Sequence, residues 1–445
     1  MAIAATLKAP VVQAPTEVTT RGKVIIGGRR LEELFADVLE GRIDYETNLF
    51  RILCHHELAP DLARLAGPML IGLATGQSDM RDLESVRLAA STHAPFEMAL
   101  LPFLRHADRF AQAMKRLRLG DARAAASVPA GALLAQRLKT MLAQARPASR
   151  YLAVLDACEH LSAELVAAAY LLECGVAPEV APFVKIAARL PAAGAVYLAE
   201  LQERPNRYTG IDLRTEGRGP ADVLAETGLD LLDRKANFAA VMVRLALGRT
   251  ISAEESVPVN AALVAGAEYG GNSASSLMMR MIADEHATAA DAMQAMIATF
   301  GCYHLGALKS SAAIIASVAD GVSIDDAIGR HAITDPQGRI RVAGFGHRFQ
   351  KRDPRSVLLL AMCKQRYPGK FIDAASALDE ALGERRLGYI NMDGIGAAMG
   401  LQGGMAPDIV SLLTLIARAP GIAKALRAAT PLPLNAELKA RAGLV

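Results

Sequence analysis

The chain has no tryptophan and few other aromatics, 11 Phe and 9 Tyr among 445 residues. With 52% apolar residues, rich in Ala and Leu, that scarcity suits closely packed helices better than β-sandwiches. Net charge is only +3, so no global field argues for nucleic acid. The five cysteines, Cys54, Cys158, Cys174, Cys302 and Cys363, are scattered, odd in number and free of CxxC or Cys/His ligand spacing. A disulfide framework and a zinc site are therefore disfavoured, and small buried thiols are the expectation. No metal ligand set or nucleotide P-loop appears. No apolar run of spanning length is free of charge, Gly and Pro, so no membrane helix is expected. The opening MAIAATLKAPVVQAPTEVTT lacks a basic start leading into an apolar stretch, and residues 1–24 read as a disordered tail. A reducing cytoplasm fits this usage.

What is present is helical periodicity. LEELFADVLEG, SAELVAAAYLLECG, DAMQAMIATF and PDIVSLLTLIARAPGIAKALR read as helices separated by Gly/Pro breaks. Only GKVIIGG and GRIRVAG suggest short strands, so the class is mainly α. Length allows two or three domains with a large core. An internal repeat is also visible. The 29 residues from Ala163 align without gaps on those from Met392 (392 − 163 = 229), with nine identities. RLAASTHAPFEMALLPFL from Arg87 aligns more faintly on RMIADEHATAADAMQAMI from Arg280 (280 − 87 = 193). The second copy is thus 36 residues longer between the blocks (229 − 193 = 36). The surplus contains RVAGFGHRFQKRDPR, residues 341–355, which concentrates glycine, histidine and cations in one loop. Glycines let main chain approach a ligand, a histidine handles a proton, and cations meet carboxylate and phosphate.

Four segments in order, GCYHLGA (301–307), VAGFGHRFQKRDPR (342–355), NMD (391–393) and IAR (416–418), resemble the signatures of the citrate synthase superfamily. That superfamily includes citrate synthases, methylcitrate synthases and citryl-CoA lyases. The resemblance implies a mainly helical fold with large and small domains around a cleft, the small-domain region at about 310–390. It implies a coenzyme A thioester as substrate, with oxaloacetate or a citrate-like acid as the second small molecule, and no metal. Carbon–carbon bond formation next to a thioester needs a carboxylate base and a hydrogen-bond donor for the enolate. By resemblance Asp393 is that base, His304 the donor, and His347 serves the carbonyl of the oxo acid. Asp393 also stands where a helix N-cap before GIGAAM would lie. Arg355 and Arg418 would hold substrate carboxylates. Val342, Ala343, Gly344, Phe345 and Gly346 would line CoA adenine, with Lys351 and Arg352 as candidates for its phosphates.

Two departures from the family pattern shape the reading further. Where a histidine usually contacts the oxo acid, AEYGGNSAS (267–275) offers Glu268 or Tyr269, and Tyr269 can still donate a hydrogen bond. His286 is out of register with that segment and reads as structural. The C-terminus lacks the family's arginine–proline pair, whereas ARLPAAGAVYLAELQERPNRYTG (188–210) resembles a family C-terminus lying mid-chain. Arg189 then corresponds to Arg418, and Arg204 to the arginine a dimer partner donates. The expectation is a fused pseudo-dimer, with a degenerate copy at 25–212 and a catalytic copy at 213–445. Glu164 stands in the first copy where Asp393 stands in the second, and nothing like His304 occurs near Ala111. Further homo-oligomerisation remains compatible, and neither nucleic acid nor membrane is expected as partner. The expected activity is condensation of an acyl-CoA with oxaloacetate or a related 2-oxo acid. The alternatives are citryl-CoA cleavage and a non-catalytic paralogue binding CoA or an organic acid.

Overall fold

The computed structural model describes residues 24–26, 29–54, 56–76, 80–120, 129–203, 220–267, 275, 278, 282, 287–300, 307–335, 337–347 and 351–428. Helices packed into the cores and the site include α1 (Leu31–Leu39), α2 (Tyr45–Cys54), α3 (Ala66–Thr75), α4 (Arg81–Ser91) and α5 (Phe96–Arg118). They continue with α6 (Ala163–Glu173), α7 (Ala181–Glu203), α8 (Pro220–Asp233), α9 (Phe238–Leu247) and α10 (Ala253–Gly266). Then follow α11 (Ala289–Ala298), α12 (Ala307–Ala319), α13 (Pro354–Arg366), α14 (Lys370–Glu384), α15 (Met392–Gln402) and α16 (Ser411–Ala428). Two antiparallel pairs, Ile25–Ile26 with Arg29–Arg30 and Ile333–Thr334 with Ile340–Arg341, are the described strands. The fold is mainly α, as the periodicity required.

Local chemistry sets many helix starts. Ser162 caps α6 by accepting from the Leu165 amide, and Ser252–Glu255 and Thr288–Asp291 form reciprocal capping boxes at α10 and α11. Proline does not end every helix in which it occurs. Helices α5, α7 and α16 run straight through Pro102, Pro191 and Pro420. One lost backbone hydrogen bond is outweighed where dense packing surrounds the helix. Residues Pro407–Leu426 reach the length and apolarity of a membrane span, but 72% of that window is buried inside the protein. It serves as a core helix. Cys54, Cys158, Cys174 and Cys363 are free thiols, and Cys302 lies outside the described residues.

Two hydrophobic cores result. One gathers Tyr45 to Ile297 with Met405 to Ala423. The other gathers Leu308 to Val410 with Val24 to Ile52 and Ala261 to Ala267. Both cross the 212/213 boundary, so neither half of the chain has a core to itself.

Several element bounds recur at the two sequence offsets. An offset of 193 carries α2 onto α9 end to end (238 − 45 = 193 and 247 − 54 = 193) and the start of α5 onto that of α11 (289 − 96 = 193). An offset of 229 carries α6 onto α15 at both ends, and left-handed Gly175 onto left-handed Gly404 (404 − 175 = 229). Equivalent helices touch each other: α2 with α9, α5 with α11, and α7 with α16. Other contacts are reciprocal, since α1 packs on α10 as α8 packs on α3, and α2 on α16 as α9 on α7. Tyr45 and Phe238, themselves equivalent, stack with ring centroids 5.3 Å apart.

Candidate active site

The loop after the second strand pair is held by backbone approach. Gly344 has φ +81°, and a Cβ there would lie 2.0 Å from Ser311 Oγ and 2.9 Å from Gly394 Cα. Only glycine lets this strand of main chain lie against α12 and the first turn of α15. Val342 and Phe345 anchor the loop in the second core, and Phe345 bridges Ile390. The Gly346 amide donates to the Tyr389 carbonyl at 2.6 Å, and the Asn391 amide donates to the Gly344 carbonyl at 3.0 Å.

Asn391 ties two candidate catalytic positions together. Its Nδ2 donates to the Gly346 carbonyl at 2.9 Å, next to His347. Its Oδ1 accepts from the Asp393 amide at 2.9 Å and the Gly394 amide at 3.1 Å. Asn391, not Asp393, is therefore the N-cap of α15, which corrects the alternative cap role for Asp393. Asp393 sits in the first helical turn, and its carboxylate is not what starts the helix.

Around His347 the structure builds a charged support. Asp353 caps α13 and accepts from Arg355 three times: the amide at 3.0 Å, Nε at 3.0 Å and Nη2 at 2.7 Å. His347 Nε2 lies 3.9 Å from Asp353 Oδ2. Burial by itself would raise the Asp353 carboxyl, but Arg355, by charge and hydrogen bonding, with His347 beside it, holds it below its ordinary range. Arg355, expected on a substrate carboxylate, is here bidentate on Asp353.

The outer cations meet an aromatic floor. The Arg352 guanidinium carbon lies 3.9 Å from the Tyr389 ring centroid, and its Nη2 donates to Asp379 at 2.7 Å. Lys351 Nζ lies 5.9 Å from the same centroid. Lys351 is exposed, as a phosphate contact requires. Arg418 is buried on α16 and donates to Ser275 Oγ at 3.1 Å.

His304, Tyr269 and Arg204 lie outside the described residues, as do Glu268 and His286. The described geometry thus joins His347, Asp393 and the 342–346 loop into one neighbourhood on α12, α13 and α15. Asn391, Asp353 and Tyr389 are its unassigned members. An Asn two residues before a helical Asp, and an Asp directly before Pro at a helix start, were the available signals. Among the described residues no group of three or more His, Cys, Asp or Glu could hold a metal ion.

The described chain is mainly helical with two hydrophobic cores, and the glycine loop and the helix bearing Asp393 pack into the second of them. The family model described as citrate synthase, C-terminal domain, matches residues 92–429, and the chain belongs to the citrate synthase family. The fold is similar to that of citrate synthase from Thermoplasma acidophilum, solved with carboxymethyl coenzyme A and oxaloacetate. That likeness has TM-score 0.57 and 13% identity, over 94% of this chain and 90% of that one. Citrate synthase from Pyrobaculum aerophilum is similar with TM-score 0.58 and 17% identity, over 92% and 83%. Citrate synthase from Thermotoga maritima gives 0.52 and 14%, over 90% and 83%. No curated protein sequence matches the chain. The family model and these three structures each run across both halves of the chain as one unit.

Proposed function

We propose that this chain is a citrate synthase-type enzyme, condensing an acyl-CoA such as acetyl-CoA with oxaloacetate or a related 2-oxo acid. The observation that carries the reading is the Asn391 tie, which joins the main chain beside His347 to the first turn bearing Asp393. Asp393 removes a proton from the carbon next to the thioester carbonyl, and His304 donates a hydrogen bond to the enolate oxygen. The enolate carbon attacks the keto carbon, and the keto oxygen takes a proton from His347. Water then cleaves the thioester and CoA leaves. Arg418 and Arg204 receive substrate carboxylates, Tyr269 donates to the oxo acid, and Arg355 holds Asp353 against His347. The loop backbone from Val342 to Gly346 follows the CoA adenine, with Lys351 toward phosphate. A cytoplasmic location is proposed alongside.

The pseudo-dimer belongs to this proposal. It is supported by the reciprocal packing of equivalent helices and by the Tyr45–Phe238 stack. In it the first half is silent and lends Arg204 to the second.

The test is CoA release from acetyl-CoA plus oxaloacetate, run beside cleavage of citryl-CoA, which the same groups perform in reverse. Asp393→Asn should lower turnover roughly 10³-fold with an unchanged melting curve. Intact CoA binding with no turnover in either direction would make the chain a non-catalytic paralogue. Turnover untouched by Asp393→Asn would remove the assigned base.

A further inference from the structure

Arg189 and Arg418 occupy equivalent places on α7 and α16 (418 − 189 = 229), and their partners are equivalent too. Arg189 donates to both carboxylate oxygens of Asp82, Nε at 2.9 Å and Nη2 at 3.2 Å. Its Nη1 donates to the Ala74 carbonyl at 2.8 Å, and Met80 Sδ lies 3.4 Å from Nη2. Arg418 donates to Ser275, and 275 − 82 is 193, the offset that relates the helices on this side of the repeat. One position carries a carboxylate in the first half, facing Arg189, and a hydroxyl in the second, facing Arg418.

The surroundings diverge in the same sense. Glu164, at the place of Asp393, is paired with Lys185 at 2.9 Å, and Lys185 is matched by Thr414 (414 − 185 = 229). Asp82 and Arg189 are 4% and 1% exposed, so this pair is sealed from water. Burial would raise the Asp82 carboxyl, but the charge and hydrogen bonds of Arg189 hold it below its ordinary range. Asp82 is an ionised carboxylate lying in the planar fork by which arginine recognises one.

We propose that Asp82 is a built-in ligand: it fills in the first half the place that a substrate carboxylate takes beside Arg418 in the second. The first half is then a carboxylate-binding site closed by its own side chain. This rests on the reading of Arg418 given above. A buried guanidinium deprived of Asp82 has no cheaper partner than another carboxylate.

The experiment replaces the side chain by a free carboxylate. In sodium chloride, Asp82→Ala should melt about 5–10 °C below the parent chain. Sodium formate at matched ionic strength should restore at least about half of that loss, saturably. Neither the parent nor Asp82→Ala/Arg189→Leu should show a formate-specific shift. Should Asp82→Ala not fold in chloride, formate during refolding should return soluble, folded chain, and Asp82→Ser is read in the same way. Recovery no better in formate than in chloride overturns the proposal. A separate arm tests the reading beneath it: Ser275→Asp should weaken malonate binding, measured by calorimetry, at least about 100-fold. Unchanged malonate binding would overturn the role of Arg418, whereas absent formate rescue would overturn only the role of Asp82.

Discussion

Asp353 shows how one carboxylate organises a site. It caps a helix, neutralises Arg355 and stands beside His347, all while buried. Removing its charge would take the bidentate carboxylate from the buried Arg355 guanidinium, so Asp353→Asn should cost about 3–5 kcal/mol in urea unfolding. The pH dependence follows from the sign of the shift. The folded carboxyl titrates below its unfolded value, so its stabilisation is complete above about pH 4 and is lost as pH falls through the folded value. Stability measured between pH 6 and pH 3 should therefore drop for the parent and change less for Asp353→Asn. His347, Asp393 and the glycine loop were legible in the chain because their motifs are short and local. The commitment of Arg355 to Asp353 was not read, although the two are separated only by Pro354.

Helices α2 and α9 show how equivalent elements can solve one problem differently. The Tyr45 amide donates to Asn260 Oδ1 at 3.3 Å, and the Phe238 amide donates to Glu46 Oε1 at 3.0 Å. Asn260 corresponds to Gly67 (260 − 67 = 193), and a Cβ on Gly67 would lie 3.1 Å from Glu46 Oε1. Glu46 fills the space the glycine leaves and caps the opposite helix from there. Burial, with Asp44 adding repulsion, pushes its carboxyl well above the ordinary range. A raised folded value gives stability that is present below about pH 4.3 and is lost as pH rises toward that folded value. Glu46→Gln keeps the acceptor and drops the charge. At pH 8 it should be more stable than the parent by on the order of 1 kcal/mol, with the difference vanishing near pH 4 in parallel melts. The periodic pattern announced α6, α11 and α16 as helices, the last of them through Pro420.

Taken whole, the molecule interleaves its halves instead of stacking two finished units. Both cores draw on residues from either side of position 212, so an isolated second half would expose apolar surface from Leu412 to Ala423 and around Ala261. The proposed pseudo-dimer predicts that Arg204→Ala abolishes turnover, or raises the substrate requirement at least about tenfold, while the melting temperature stays within about 1 °C. Steady-state CoA release with matched thermal melts measures both. Wild-type kinetics in that variant would leave the first half without a part in catalysis.

Residue order alone carried the helical class and the family motifs at 342–355 and 391–393, since periodicity and motif spacing are properties of neighbours along a chain. Which charges cancel was left to packing. Asp82 and Arg189 are 107 positions apart, and their attraction counts only after α4 and α7 have excluded the water between them. The same holds for Tyr45 against Phe238 and Glu46 against the Phe238 amide. Contacts between distant positions acquire energy only when the cores close, and that closure separated an arginine facing an internal carboxylate from its twin facing a hydroxyl.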